Sequence, residues 1–391
     1  YIDYKIEKLD QLINFKSLIK LDKGPFFLNF LNFKRNRNLE TKIELNGYRD
    51  PTKNFIIKSI KLEENKSTIL GKNIKFSSKF KIKSFDKIDA NYLDAQGKKN
   101  IFNIKKINKK YLLTGDTFNG DNLLKNILVG DENQDYFDND FELILKIENV
   151  HLDNEFALKN LSGNLIFKKQ KLFEGNLEGD FPKRKKMKFT AKTNDNKTIT
   201  TLFMDFAEPI VKKYKFIKGF DDGILDFYSI KDGDISTSTV KIYDFKLKEL
   251  PTLTKLLTLA SLQGIADILS GEGIRFDEFE MNFNNKNKLM TIDEIYALGP
   301  ALSILMSGYI ESNKLISLRG TMVPATTINK IIGKIKIIGD ILVGSKKGEG
   351  VFGVSFKIKG PPKKLKTTVN PIKTLTPRFI TRVLEKAKKQ N

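Results

Sequence analysis

The chain has 391 residues, 40% of them hydrophobic and 30% charged, with a formal net charge of +22, which is enough for two ordinary domains or one elongated repeat. It has no Cys, no Trp and a single His, so a disulfide framework and a thiolate metal site are excluded, and any zinc or Ser-His-Asp centre would depend on His151 alone. Only 8 of the 69 basic residues are Arg, and a lysine excess of this kind speaks for solvated strand faces and against reading of base edges.

Residues 1–118 read as strand after strand. The clearest run is 74–84, where Ile74, Phe76, Ser78, Phe80 and Ile82 alternate with Lys75, Ser77, Lys79, Lys81 and Lys83. One apolar and one wet face predict a strand of an antiparallel sheet covered on one side. Tyr111–Thr114 with Gly115 predicts a strand that feeds a short helix over 122–128. Glu63 and Glu64 are neighbours in sequence, as are Asp221 and Asp222, and both pairs are expected at exposed turns rather than as an opposed acid and base.

From Phe141 the alternation resumes, with Phe141, Leu143, Leu145 and Ile147 on one face. His151 follows in ENVHLDNEF, as an ordinary strand or turn residue. Gly163 and Gly175 stand 12 apart, as do Gly308 and Gly320, and each pair reads as a copy of one hairpin unit. A second echo links 115–128 with 320–332, each a strand running into an apolar helix. Repetition of this kind predicts an extended stack. The basic run 183–188 is expected on a solvated turn, and 208–218 as a short helix before another alternating strand, ISTSTVKIYDFKL.

The least polar helical stretch is 251–270. Pro251 suits a first turn, and Leu256, Leu257, Ala260, Ile265 and Ile268 lie among apolar residues almost all the way round. Its charge-free segment between Lys255 and Asp267 is 11 residues, too short for a bilayer, which needs about 20. Phe279, Met281 and Phe283 then predict a strand. A second helix over 324–343 presents Ile331, Ile335 and Ile338 on one face. Phe352, Val354, Phe356 and Ile358 form another two-faced strand, and 376–388 a basic amphipathic helix. The loop GSKKGEG at 344–350 lacks the Gly-Lys-Ser/Thr ending of a phosphate loop.

Four ordered motifs, PTLTKLLTLASLQGIADILSGEGIRF, ALGPALSILMSGYI, RGTMVPATTINKIIGKIKIIGDILVG and VNPIKTLTPRFITRVL, together resemble the AsmA-like C-terminal region of large bacterial envelope proteins. The resemblance covers about residues 220–384, and Lys334 and Lys336 depart from the family's uncharged turn. It implies a periplasmic protein held to the inner membrane by an upstream segment, since the chain starts at Tyr1. It also implies kinship with bridge-like lipid transfer proteins, which move phospholipid between inner and outer membranes.

The expected fold is therefore mainly β with a few helices. An elongated, curled antiparallel sheet of repeated hairpins, over 1–205, would form an apolar groove, and the AsmA-like region 206–391 would cap it with its helices. The groove would be lined by the apolar residues named above on the strands at 74–82, 141–147 and 352–356. The expected protein is a monomer without cofactor or nucleic acid, not an enzyme, and its partners are phospholipid acyl chains and the membrane. A structural or assembly factor with a closed β core is the alternative, and a basic nucleic-acid binder the third.

Overall fold

Short turns between period-two strands dictate the architecture. In the computed structural model, which describes residues 1–28, 31–121, 139–153, 155–168, 171–212, 219–248, 251–259, 271–312, 314–324, 353–362 and 364–372, most of the chain is β-strand. Asp10, Asn65, Asn108 and Asn287 each open a two-residue hairpin loop with φ between 51° and 55°. A positive φ there matches the right-handed twist of the flanking strands, and Asn and Asp reach it at the least cost after Gly. The chain divides into two compact units, Tyr1–Thr193 and Asn194–Asn391.

In unit 1 the ladder runs β1 (Ile2–Leu9), β2 (Leu12–Leu21), β5 (Thr41–Arg49), β6 (Phe55–Glu64), β7 (Ser67–Phe76), β9 (Lys87–Leu93), β10 (Lys99–Ile107) and β11 (Lys110–Asn119). It continues through β12 (Phe141–His151), β13 (Ala157–Lys168), β14 (Lys171–Asp180) and β15 (Lys186–Asn194). Every neighbour is antiparallel except β11 with β12, a parallel pair that needs a crossover. That crossover includes 122–138, so the expected helix at 122–128 lies outside the described residues. The short β8 (Ile82–Ser84) pairs with the end of β7, and β3 (Phe27–Leu28) with β4 (Phe33–Lys34) makes a separate hairpin.

In unit 2 the ladder is β16 (Lys197–Met204), β17 (Phe220–Asp232), β18 (Ile235–Leu247), β19 (Ile274–Lys286), β20 (Leu289–Leu298), β21 (Leu302–Glu311), β22 (Leu315–Pro324), β23 (Gly353–Gly360) and β24 (Lys366–Ile372), antiparallel throughout. Among the described residues neither ladder closes on itself. Two α-helices are described, α1 (Glu208–Val211) and α2 (Pro251–Leu259). The first packs on β17 and the second on β24. The helices expected at 324–343 and 376–388 lie outside the described residues, apart from Pro324, which ends β22.

Three local expectations are corrected. The run 74–84 is a hairpin, not one strand: β7 stops at Phe76, the Phe80 N–H donates to the Ser77 carbonyl, and the Lys81 N–H donates to Ser77 Oγ. Glu64 is buried at the end of β6, where its carboxylate accepts from Thr41 Oγ1 at 2.6 Å and from the Asn36 N–H. That contact ties down the loop between β4 and β5. Asp221 and Asp222 stand inside β17, with Asp222 in the left-handed region at φ 63°.

Candidate functional site: the apolar faces

Strand pairing assembles the apolar side chains into rows. In unit 1 one row crosses ten strands from Leu45 through Ile60, Gly71, Ile88, Ile104, Leu113, Leu145, Gly163 and Leu177 to Phe189. A parallel row runs Ile19, Ile43, Leu62, Ile69, Ala90, Phe102, Gly115, Ile147, Leu161. Because successive side chains point to opposite faces, both rows lie on one side of the ladder. Unit 2 repeats the arrangement from Met204 through Leu225, Ile242, Phe279, Ala297, Ile304 and Met322 to Val354, and from Leu202 through Phe227 and Val240 to Phe356.

The expected groove residues fall unevenly on these faces. Ile74, Ile82, Phe141 and Leu143 pack around the buried trio Phe85, Ile88 and Tyr111. Leu145 and Ile147 are buried, Leu145 at 2% exposure, and Val354 and Phe356 are buried in unit 2. Phe76 is half-buried opposite Phe55. Phe80 is a correction: it sits in the hairpin turn at φ 60°, 68% exposed, stacked on Phe55 at 5.0 Å. A tight turn breaks the strand before Phe80 while the sequence keeps its parity, so the alternation there is coincidental. Phe352 lies outside the described residues.

Of the capping-helix residues, Leu256 and Leu257 are buried together with Leu253, at the i, i+3, i+4 spacing of one helix face. Leu259 is exposed, so over its described length α2 has one apolar face rather than an apolar girth. Ala260, Ile265, Ile268, Ile331, Ile335 and Ile338 lie outside the described residues.

Aromatic rings line the unit 1 face. Phe33, carried in by the β3–β4 hairpin, meets Tyr92 edge-on at 5.9 Å, Tyr92 meets Phe102 at 6.3 Å, and Phe102 meets Phe118 at 5.6 Å. A second file runs Phe85, Tyr111, Phe141, Phe167. The hairpin is held by Arg35, which is buried and donates to the carbonyls of Leu21, Gly24 and Leu39. Burial pushes the Tyr111 phenol above its ordinary range, while the Phe85 N–H that it accepts acts in the opposite sense. Phe85, Leu161, Leu177, Phe189 and Met322 were not singled out from sequence, although Leu161, Gly163 and Leu165 carry the same period-two signal.

At β1 the apolar side is open, with Ile2, Tyr4 and Ile6 exposed, Tyr4 at 69%, on the side of Ile19 and Phe15. On the opposite, polar side, β7 and β9–β13 shape a concavity of about 830 Å³ lined by Thr68, Asp89, Asn103, Thr114, Lys146 and Ser162, with Leu70 and Ile101 beside them, and it is bordered also by Phe102, Ile147 and Leu161 of the apolar rows. Most of its lining comes from residues that alternate along the strands with those of the apolar rows.

His151 ends β12, where burial first and nearby Lys98 second lower its pKa, against the pull of Asp94. No group of three His, Cys, Asp or Glu stands together among the described residues. No described helix is long and apolar enough to cross a membrane. Of the basic run, Lys186 and Lys188 begin β15 opposite Asp180 and Glu178, and the Lys186 ammonium lies 2.6 Å from Asp180. Comparison with known protein families, with curated proteins and with solved structures finds no match.

Proposed function

We propose that this protein is a non-enzymatic lipid-binding conduit of the bacterial envelope, AsmA-like in kind. In this reading it works in the periplasm and carries phospholipid acyl chains along its apolar strand faces between inner and outer membranes. The observation that carries the proposal is the row from Leu45 to Phe189, opposed rung by rung across ten strands, with apolar side chains at every rung but Gly71 and Gly163. A core needs clustered residues but no long file. An acyl chain is long and featureless, and it gains about 0.8 kcal/mol for each CH2 it buries. The exposed Ile2, Tyr4 and Ile6 add an apolar strip on the same side that is open to a lipid.

A closed envelope scaffold is the second reading, favoured by the near-complete burial of Leu145 and Leu165, both at 2% exposure. Photocrosslinking separates the two. A photoreactive residue at Ile6 or Phe15 is expected to label an acyl-chain probe, and the same residue at Lys5 or Lys16, on the opposite side, is not. Equal labelling at all four positions, or none, would count for the scaffold.

A further inference from the structure

On the polar faces of both units, several lysines stand directly opposite a carboxylate on the next strand. Glu44 faces Lys61, Glu178 faces Lys188, Asp226 faces Lys241 and Lys241 faces Glu280. Directly opposed charges of like sign repel, so rungs that oppose them are informative. Where Lys87 faces Lys72 and Lys105, it bonds Asp89 on its own strand at 2.7 Å. Where Lys5 faces Lys16, it pairs with Glu7, and where Lys42 faces Lys20, it pairs with Glu44. Lys246, opposite Arg275, has Asp221 on its other side, and Lys168 faces Lys171 where their hairpin closes.

Two rungs of unit 2 lack that relief. Arg319 on β22 stands opposite Lys357 on β23, and Lys359 on β23 stands opposite Lys366 on β24. All four are exposed, and none has an ion pair with a carboxylate among the described residues. Hydroxyls extend the same rungs: Ser307 and Thr368 flank Arg319 and Lys357, while Ser317 and Tyr309 precede Lys359. Strands lie about 4.8 Å apart and alternate residues about 6.6 Å, so the outermost backbones, at Arg319 and Lys366, are about 12 Å apart, a span that long Lys and Arg side chains can close on one phosphate. In a chain with so few arginines, one of them stands here, where its planar fork suits phosphate.

We propose that Arg319, Lys357, Lys359 and Lys366 form a binding site for the phosphate of an anionic lipid headgroup. The site lies on the polar side, opposite the apolar row of Val354 and Phe356, so the headgroup it holds belongs to a membrane surface beside the protein, and the inference rests on the conduit reading only for the carrier of the phosphate. The repulsion between opposed cations is what a bound phosphate relieves.

The test uses the full chain and vesicles of phosphatidylcholine with or without phosphatidylglycerol, in about 0.1 M salt, where charges beyond about 10 Å are screened. The double variant Lys357→Glu, Lys366→Glu places a carboxylate opposite a cation on both rungs. It is expected to melt no lower than the parent and to bind phosphatidylglycerol vesicles at least about tenfold more weakly. The matched change Lys23→Glu, Lys53→Glu, at exposed turns, is expected to leave binding within about twofold. If the acidic pair disturbs folding, Lys357→Gln with Lys366→Gln gives the same comparison. Unchanged vesicle binding in the rung variants, or equal loss in the turn variant, overturns the proposal. So does displacement by excess inorganic phosphate, which assigns the site to the free anion, or binding of duplex DNA in place of vesicles. Lipid extracted from the rung variant reports on the conduit separately: acyl cargo retained with vesicle binding lost upholds both.

Discussion

Tyr92 illustrates how single side chains hold unit 1 together. Its ring joins Phe33 to Phe102, and its buried hydroxyl donates to the Leu31 carbonyl at 2.7 Å. Burial first and the Asp94 carboxylate second push the phenol above its ordinary value. The folded protein thus keeps this proton where the unfolded chain releases it. The resulting stability is complete below about pH 10 and is lost as the pH rises toward the folded value. Tyr92→Phe removes one hydrogen bond, a loss of about 1 kcal/mol near pH 8. Urea unfolding at about pH 8 and about pH 11 should therefore show the gap between parent and variant narrowing at the higher pH, while a constant gap would contradict this account of the phenol. Phe80 marks the other extreme. Its exposure and its place in a turn remove it from the apolar face, whatever its sequence parity.

Among the elements, the repeated hairpin has a physical signature. Gly163 in β13 and Gly308 in β21 have φ of 145° and 152°, and a Cβ on either would stand 1.9 or 2.0 Å from the carbonyl oxygen of Asn176 or Ser317 on the next strand. The 12-residue spacing thus marks two hairpins that need the same close backbone approach. Gly163→Ala and Gly308→Ala should each cost at least about 2 kcal/mol, from strain at positive φ and a shifted ladder. Gly233→Ala, at a turn with open space around it, should cost about 1 kcal/mol. Equal losses at all three positions in denaturant melts would remove close approach as the cause.

These glycines were legible because glycine has few reasons to recur at a fixed spacing. The strands at β12, β18 and β23 were legible because burial on one side writes a period of two. The break at Ser77–Lys81 was not, since Ser, Ser and Lys are turn residues that also suit a wet strand face. Nor was the buried Glu64, because its partners Thr41 and Asn36 are brought to it only by tertiary folding. The open strip on β1 and the polar-side concavity likewise depend on where neighbouring strands end.

At the scale of the whole molecule, the charge of +22 divides between two roles. Some lysines on the ladders, such as Lys188 and Lys241, face carboxylates, whereas the rungs of β22–β24 place cation opposite cation at one place in unit 2. The apolar side of each unit carries the central claim, that these faces hold acyl chains. The most direct measurement is organic extraction and mass spectrometry of lipid from the purified protein, beside an unrelated protein passed through the same detergent. The conduit account predicts phospholipid near one or more molecules per chain, well above the control. Lipid no higher than the control would contradict it and leave a closed β core.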